Sequence, residues 1–174
     1  ALTKGEQGSL KQSSELFPEA IAHWGTHIGM VQRVFLQKGA GHDVDHFSPE
    51  YTIILGFEFQ AEDIDFDVLS VAVSIKNKEG TDMIVKTSFD EGIRITGENE
   101  RLYRVEFKMK TYLAVGEYYL VIALENRTKM TPMYYEYIDG ALFFKVYTDK
   151  KIYAKVDVPA DRTVREVVGG WDAR

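Results

Sequence analysis

Residues 42–46, with the sequence His-Asp-Val-Asp-His, bring two imidazoles and two carboxylates together, which is a ligand set that zinc or manganese accepts. On a helix His42 and His46 would share one face. The flanking Gly41 and Pro49 favour a loop instead, and in a loop this spacing has no geometric meaning. We interpret the stretch as a polar loop and expect no metal site.

Acidic residues give two further patterns. Asp63, Asp65 and Asp67 alternate with apolar residues, but the glycine and distal glutamate of a calcium-binding loop are missing. We interpret them as a charged connection that protects a sheet edge from aggregation. Glycoside hydrolysis needs two carboxylates in one cleft. Glu58 and Glu117 are candidates, although acidic residues are so frequent here that the pattern is unspecific.

The usual motifs of nucleotide binding and nucleophilic catalysis are absent from the sequence. Neither Gly-x-x-x-x-Gly-Lys-Ser/Thr nor Gly-x-Gly-x-x-Gly occurs, and Gly-x-Ser-x-Gly is missing as well. There is no cysteine, which excludes disulfides, thiolate metal sites and a cysteine nucleophile. We therefore expect no enzymatic activity and no cofactor in this chain.

The composition indicates one folded domain with an unusual share of aromatic residues. The chain has 174 residues, of which 45% are hydrophobic, and its net charge of -6 is the wrong sign for nucleic acid. Tyrosine is as frequent as phenylalanine, with 10 of each. Tyrosine tolerates half-burial, so the composition fits either an aromatic-lined binding face or a β-rich core. No signal peptide or membrane-spanning run is recognisable.

The hydrophobic pattern predicts an all-β fold, an antiparallel β-sandwich of immunoglobulin-like or jelly-roll-like type with about eight strands. Residues 17–23 permit a short N-terminal linker helix. Residues 1–23 form a linker and docking segment in this interpretation, 24–158 the sandwich and 159–174 a tail. Strands are predicted over 28–36, 51–60, 68–76, 83–87, 101–110, 118–124 and 141–147, with further candidates over 152–158 and 163–168.

The outward faces of the predicted strands differ. Residues 104–110 alternate charged with apolar side chains, as expected of a face in water. Three other strands carry small or hydroxyl-bearing side chains outward, and such a surface is usually covered by a ligand, a partner subunit or the chain's own tail. The outward residues are Thr52, Ile54, Gly56, Glu58 and Gln60; Ser70, Ala72 and Ser74; and Tyr119, Val121 and Ala123.

Four segments, residues 24–28, 75–80, 113–120 and 140–146, follow a familiar order. They comprise a Trp-Gly opening before the first strand, a strand with a glycine turn, a Leu-x-x-Gly-x-Tyr motif and an aromatic-rich final strand. Over residues 24–147 the chain resembles the C-terminal domain of the ATP-binding subunit of bacterial O-antigen polysaccharide ABC exporters, the Wzt family.

This resemblance implies a non-catalytic domain that recognises a finished, often end-capped O-polysaccharide and couples its binding to export in lipopolysaccharide biosynthesis. It implies that ATP and Mg²⁺ bind in a separate nucleotide-binding domain, which cooperates with a membrane-spanning transporter subunit. It also implies a location at the cytoplasmic face of the inner membrane, and a homodimer in which residues 152–158 or 163–168 are exchanged as a strand.

Sugars are bound by aromatic faces and by planar polar side chains, and the chain offers both. Tyr134 and Tyr135 belong to an aromatic cluster that either stacks on sugar rings or staples a corner of the sandwich. If the recognised cap is anionic, a basic residue such as Lys86, Arg104 or Lys108 should lie at the rim. The candidate glycan-binding residues are Thr52, Glu58, Gln60, Ser70, Ser74, Lys86, Tyr119, Tyr134 and Tyr135.

Two other functions remain open from the residues alone. A purely structural dimerisation module would cover the same outward face with its partner, and it would bind no glycan. A small β-sandwich glycoside hydrolase would require two carboxylates converging on one cleft.

Overall fold

Nine strands form two sheets in the part of the chain that the computed structural model describes, residues 16–39 and 41–149. In chain order they are β1 (Ala22–Trp24), β2 (Val31–Lys38), β3 (His46–Phe47), β4 (Ile53–Gln60), β5 (Leu69–Asn77), β6 (Asp82–Thr87), β7 (Leu102–Met109), β8 (Gly116–Asn126) and β9 (Met133–Val146).

The large sheet has the strand order β1-β9-β8-β5-β6, and the small sheet has the order β2-β4-β7. These neighbours pair antiparallel. The short β3 lies parallel to the end of β9. The predicted all-β sandwich is confirmed.

The core between the sheets follows the alternation in the sequence. Leu55, Phe57 and Phe59 of β4 point inward from the small sheet, and Leu120 and Ile122 of β8 do so from the large one; all are almost completely buried. Burying such a side chain stabilises the fold by about 1.5–3 kcal/mol. The predicted glycine turn is also confirmed: Gly80 N–H donates to Asn77 O at 2.9 Å, and Gly80 has φ of 83°.

The N-terminal segment differs from the prediction of a linker helix. Ala20 N–H donates to Phe17 O at 3.2 Å, which closes a single turn. Strand β1 follows and pairs with β9, with Trp24 opposite Tyr137. The edge of β9 offers backbone hydrogen-bonding groups, so the segment becomes an edge strand where local propensity allowed a helix.

Other predicted bounds also shift: β2 begins at Val31, three residues later than predicted, and β9 begins at Met133, eight residues earlier than predicted. The predicted strands over 152–158 and 163–168 lie outside the described residues. The division into linker, sandwich and tail stays a prediction.

Candidate functional site

A groove of about 380 Å³ lies on the outer face of the large sheet, away from the core. We call it the aromatic groove. Its floor consists of small or short side chains, Ala72 and Ser74 of β5 with Val121 and Ala123 of β8, and these leave room above the sheet. The lining residues are Ala72, Val73, Ser74, Asp82, Val85, Thr87, Asp90, Val121, Ala123, Glu125, Arg127, Pro132, Tyr134 and Tyr137.

Tyr134 and Tyr137 line one wall of the groove, and Trp24, which lies outside the lining, packs against both of them and extends the wall. The Trp24 ring stacks on Tyr137 with 5.1 Å between centroids, and Tyr134 meets both rings edge-on, at 4.9 Å from Trp24 and 5.1 Å from Tyr137. Trp24 retains 47% of its exposure. Such contacts contribute about 0.5–1.5 kcal/mol per pair, so the three rings support one another while the wall stays partly open to solvent.

A β-bulge puts the two tyrosines on one face. The pairing of β8 with β9 runs from Leu124 opposite Glu136 to Glu125 opposite Tyr134, which leaves Tyr135 as an extra residue. Strict alternation would place Tyr134 and Tyr137 on opposite faces of the sheet. Because of the bulge, both rings reach the groove.

A buried carboxylate fixes β1 and therefore Trp24. Glu136 is completely buried; its Oε1 lies 2.6 Å from His23 Nε2 and accepts a hydrogen bond from Gly29 N–H at 2.9 Å. Its Oε2 accepts from Val31 N–H at 2.7 Å. The residue after Trp24 is Gly25, where a Cβ would lie 2.2 Å from the Tyr135 carbonyl oxygen. The close approach of β1 to β9 thus requires glycine there.

The other wall and the ends of the groove are polar. Ser74 Oγ donates to Asp82 Oδ1 at 2.5 Å, and Thr87 Oγ1 donates to Asp90 Oδ2 at 2.7 Å. At one end, Arg127 Nε donates to Glu125 Oε2 at 2.8 Å. The groove therefore offers carboxylate acceptors opposite an aromatic wall.

The ionisation of the groove residues is set by burial and by their neighbours. Burial raises the pKa of the Tyr134 and Tyr137 hydroxyls, and the nearby carboxylates add to the shift. Both hydroxyls thus stay protonated well above neutral pH. Burial acts to lower the pKa of Lys76, but Tyr137, Asp139 and Asp82 outweigh it and the pKa rises, so Lys76 stays charged.

A second depression of about 510 Å³, here called the end hollow, adjoins the other end of β8 and β9. Tyr119 lines it and contacts Phe143 at 5.6 Å between ring centroids. Its charges are balanced, two lysines against two acids. The lining residues are Ile21, Asp45, Lys78, Glu117, Tyr118, Tyr119, Phe143, Phe144 and Lys145.

Three of the predicted glycan-binding residues lie in these depressions: Ser74 and Tyr134 in the aromatic groove, and Tyr119 in the end hollow. Ser70 is on the same sheet but buried, and Ser88 Oγ donates to its hydroxyl at 3.3 Å. Tyr135 points into the interior, where its hydroxyl accepts hydrogen bonds from Asp65 N–H at 3.1 Å and Asn126 Nδ2 at 3.0 Å.

Lys86 does not line the groove. Its neighbours Val85 and Thr87 line the groove, so the side chain of Lys86 points to the other face of the strand, and Lys86 is paired with the core residue Val73. Its Nζ lies 3.4 Å from Glu91 Oε1.

The expectation of one continuous surface is wrong, because β4 belongs to the small sheet. Thr52, which precedes β4, and the β4 residues Glu58 and Gln60 are therefore on the opposite side of the sandwich from the groove. Alternation says which side chains leave the core, but it does not say which sheet a strand joins. Glycan contact by these three residues stays a prediction.

The outer face of the small sheet is occupied by its own side chains. Phe35 is fully buried there against Gly56, and the Arg104 guanidinium lies 4.0 Å above the Phe35 ring. Arg104 NH1 donates to Glu58 Oε1 at 2.7 Å, and its Nε donates to Glu106 Oε1 at 2.6 Å. This network closes the face over Phe35.

Trp24, Tyr137, Asp82, Asp90 and Arg127 are site residues that the sequence did not identify. In the sequence, Trp24 was notable only as part of the opening motif. Tyr137 belonged to an aromatic cluster, but the bulge determines which side of the sheet its side chain faces. The three charged residues lie at the start of a strand or after its end, where the alternation does not predict which side of the sheet a side chain faces.

The polar loop at residues 42–46 makes local contacts. Asp43 accepts hydrogen bonds from Gln37 Nε2 at 2.8 Å and Arg33 NH2 at 2.6 Å, and these lower its pKa. His46 Nδ1 lies 2.7 Å from Asp45 Oδ1. Within the described residues, no group of three or more potential ligands is arranged to hold a metal ion. No helix in that part of the chain has the length and apolarity to cross a membrane.

Comparison with known proteins gives a matching family and a similar solved structure. The family model described as "Wzt C-terminal domain" matches residues 21–158. The crystal structure of the C-terminal domain of wzt superposes with a TM-score of 0.72 and 17% identity, covering 85% of this chain and 90% of that chain. No curated protein matches the sequence. At that identity, the structural likeness speaks for the fold alone.

Proposed function

The chain belongs to the Wzt C-terminal domain family, and on that premise we propose that it recognises a bacterial O-polysaccharide in the aromatic groove. The family is one of non-catalytic, carbohydrate-binding domains associated with ABC exporters. The proposal adds the ligand, the place where it binds and the coupling of that binding to export.

The aromatic wall is the observation that carries the proposal. A sugar ring presents a C–H face, which packs on an aromatic ring, and an edge of hydroxyls, which donate to carboxylates. The Trp24–Tyr137–Tyr134 wall supplies the first surface, and Asp82 and Asp90 across the groove supply acceptors. The small floor formed by Ala72 and Ala123 leaves room for a sugar ring beside the wall.

Membership of the family supports a role in transport. We propose that glycan binding licenses export, that ATP and Mg²⁺ are bound by a separate nucleotide-binding domain, and that this domain acts with a membrane-spanning subunit at the cytoplasmic face of the inner membrane. We further propose that the domain works as a homodimer, with exchange of a terminal strand as one form of assembly.

Binding of the 174-residue chain to an array of purified bacterial O-polysaccharides tests the proposal, with calorimetric titration of the strongest positive. We expect one polysaccharide class to bind saturably, with a dissociation constant in about the micromolar range, which corresponds to about 8 kcal/mol. Failure to bind any of the polysaccharides, together with a stable dimer, would favour a purely structural module. Release of reducing sugar would show a hydrolase.

A further inference from the structure

The charges around the aromatic groove are unbalanced. Lys76 Nζ lies 3.4 Å from Asp139 Oδ2, and Arg127 Nε lies 2.8 Å from Glu125 Oε2, so each cation faces a carboxylate partner. Asp82 and Asp90, the remaining carboxylates of the lining, form no such ion pair in the described part of the chain, although Asp82 stands opposite Lys76 in the pairing of β5 with β6. The charged residues in or beside the groove are Lys76, Asp82, Asp90, Glu125, Arg127 and Asp139. The sum is two negative charges, from Asp82 and Asp90.

These two carboxylates remain able to accept hydrogen bonds. Each receives a hydroxyl, Ser74 Oγ on Asp82 and Thr87 Oγ1 on Asp90. A hydroxyl satisfies one acceptor position and leaves the charge in place, and an ionised carboxylate has about four such positions. A ligand hydroxyl or ammonium group can therefore donate hydrogen bonds to these two carboxylates.

A third carboxylate, Asp139, lies beside the groove. It stands on β9 opposite Val121, a floor residue of the groove. Its Oδ1 is buried and has no hydrogen-bond partner in the described part of the chain. Buried acceptors of this kind are rare in proteins, but Asp139 is not among the residues that line the groove, so the inference rests on Asp82 and Asp90.

The basic residues that an anionic ligand would need lie elsewhere. Lys86 faces away from the groove and pairs with Glu91. Arg104 and Lys108 belong to β7 of the small sheet. A phosphate or carboxylate in the groove would meet Asp82 and Asp90 with both local cations already engaged.

Resting on the proposed glycan binding, we infer that the aromatic groove selects an uncharged or amino-bearing sugar and rejects one that carries phosphate or carboxylate. The groove discriminates against anions in two ways. The charges of Asp82 and Asp90 repel an anion, and an anion would also lose its water without gaining a counter-charge. Attraction comes from hydrogen bonds that a neutral hydroxyl or an ammonium group donates to Asp82 and Asp90.

The test uses oligosaccharides cut from the polysaccharide that binds best on the array. They are compared with the same oligosaccharides after oxidation of their primary hydroxyl groups to carboxylates. For the wild-type chain at low salt we expect the carboxylate form to bind about tenfold more weakly or worse, and the difference to shrink in high salt. In the double variant Asp82→Asn with Asp90→Asn, the difference should fall to about threefold or less.

The double variant Glu98→Gln with Glu100→Gln, two exposed acids in a distant loop, removes the same charge and should leave the difference unchanged. Equal or tighter binding of the carboxylate form, an acidic polysaccharide as the best binder, or a salt-independent difference overturns the inference while glycan binding stands. Absence of binding to every polysaccharide overturns both proposals. The salt series on the wild-type chain gives a result even if a variant fails to fold.

Discussion

Tyr137→Ala is expected to weaken binding of the cognate glycan by about tenfold or more, which is about 1.4 kcal/mol. Tyr137 is the central ring of the wall, in contact with Trp24 and Tyr134 at 5.1 Å each. Its loss removes the surface on which a sugar ring would stack and loosens the other two rings. Isothermal titration with the polysaccharide selected on the array measures the effect.

Three variants control this result. Tyr137→Phe keeps the ring and should bind within about threefold of wild type, unless the hydroxyl itself contacts the ligand. Trp24→Ala changes a side chain that is 47% exposed, so it tests the wall without a large change in the core. Tyr51→Ala removes a ring of similar exposure, 41%, that lies outside the groove under the Lys38 ammonium group, and it should not alter affinity. Unchanged binding by both Tyr137→Ala and Trp24→Ala would place the ligand elsewhere.

Glu136→Ala is expected to lower the free energy of unfolding by about 3–5 kcal/mol. The completely buried carboxylate accepts hydrogen bonds from the backbone N–H groups of Gly29 and Val31 and contacts His23. Alanine would leave these groups buried without an acceptor, and each such loss costs about 1–3 kcal/mol. Urea denaturation followed by tryptophan fluorescence gives the value.

Glu117→Ala, an exposed carboxylate at the start of β8 that pairs with Lys145 at 3.4 Å, is the matched control and should change stability by about 0.5 kcal/mol or less. Glu136→Gln keeps one acceptor oxygen and should lie between wild type and Glu136→Ala. If Glu136→Ala unfolds within about 1 kcal/mol of wild type, the carboxylate does not hold β1 and β2 to β9 as described.

The sequence predicted the sandwich and one half of the site, because strands β5 and β8 keep strict alternation. Their outward residues, Ser74, Val121 and Ala123 among them, were recognised as an uncharged face that needs a cover. They form the groove floor. Period-two patterning fixes which side chains leave the core, and for these two neighbouring strands it was sufficient.

Of the aromatic wall, the sequence suggested only Tyr134, and three physical reasons kept the rest of it out of reach. The bulge at Tyr135 reverses the facing of Tyr134 relative to Tyr137. Strand β1 has three residues, too few to show a period. The carboxylate that fixes β1, Glu136, lies inside the core, where a charged residue is not expected without knowledge of its partners. Assignment of β4 to the opposite sheet likewise depends on tertiary pairing.

The most direct test of glycan recognition in the aromatic groove is a footprint on the wild-type chain. Backbone and aromatic NMR signals of the isotope-labelled protein would be followed during titration with the array-selected oligosaccharide. We predict saturable shifts at Trp24, Tyr134, Tyr137 and the floor residues of β5 and β8. Shifts confined to the outer face of the small sheet, at Glu58, Gln60 and their neighbours, or no shifts at saturating ligand, would contradict it.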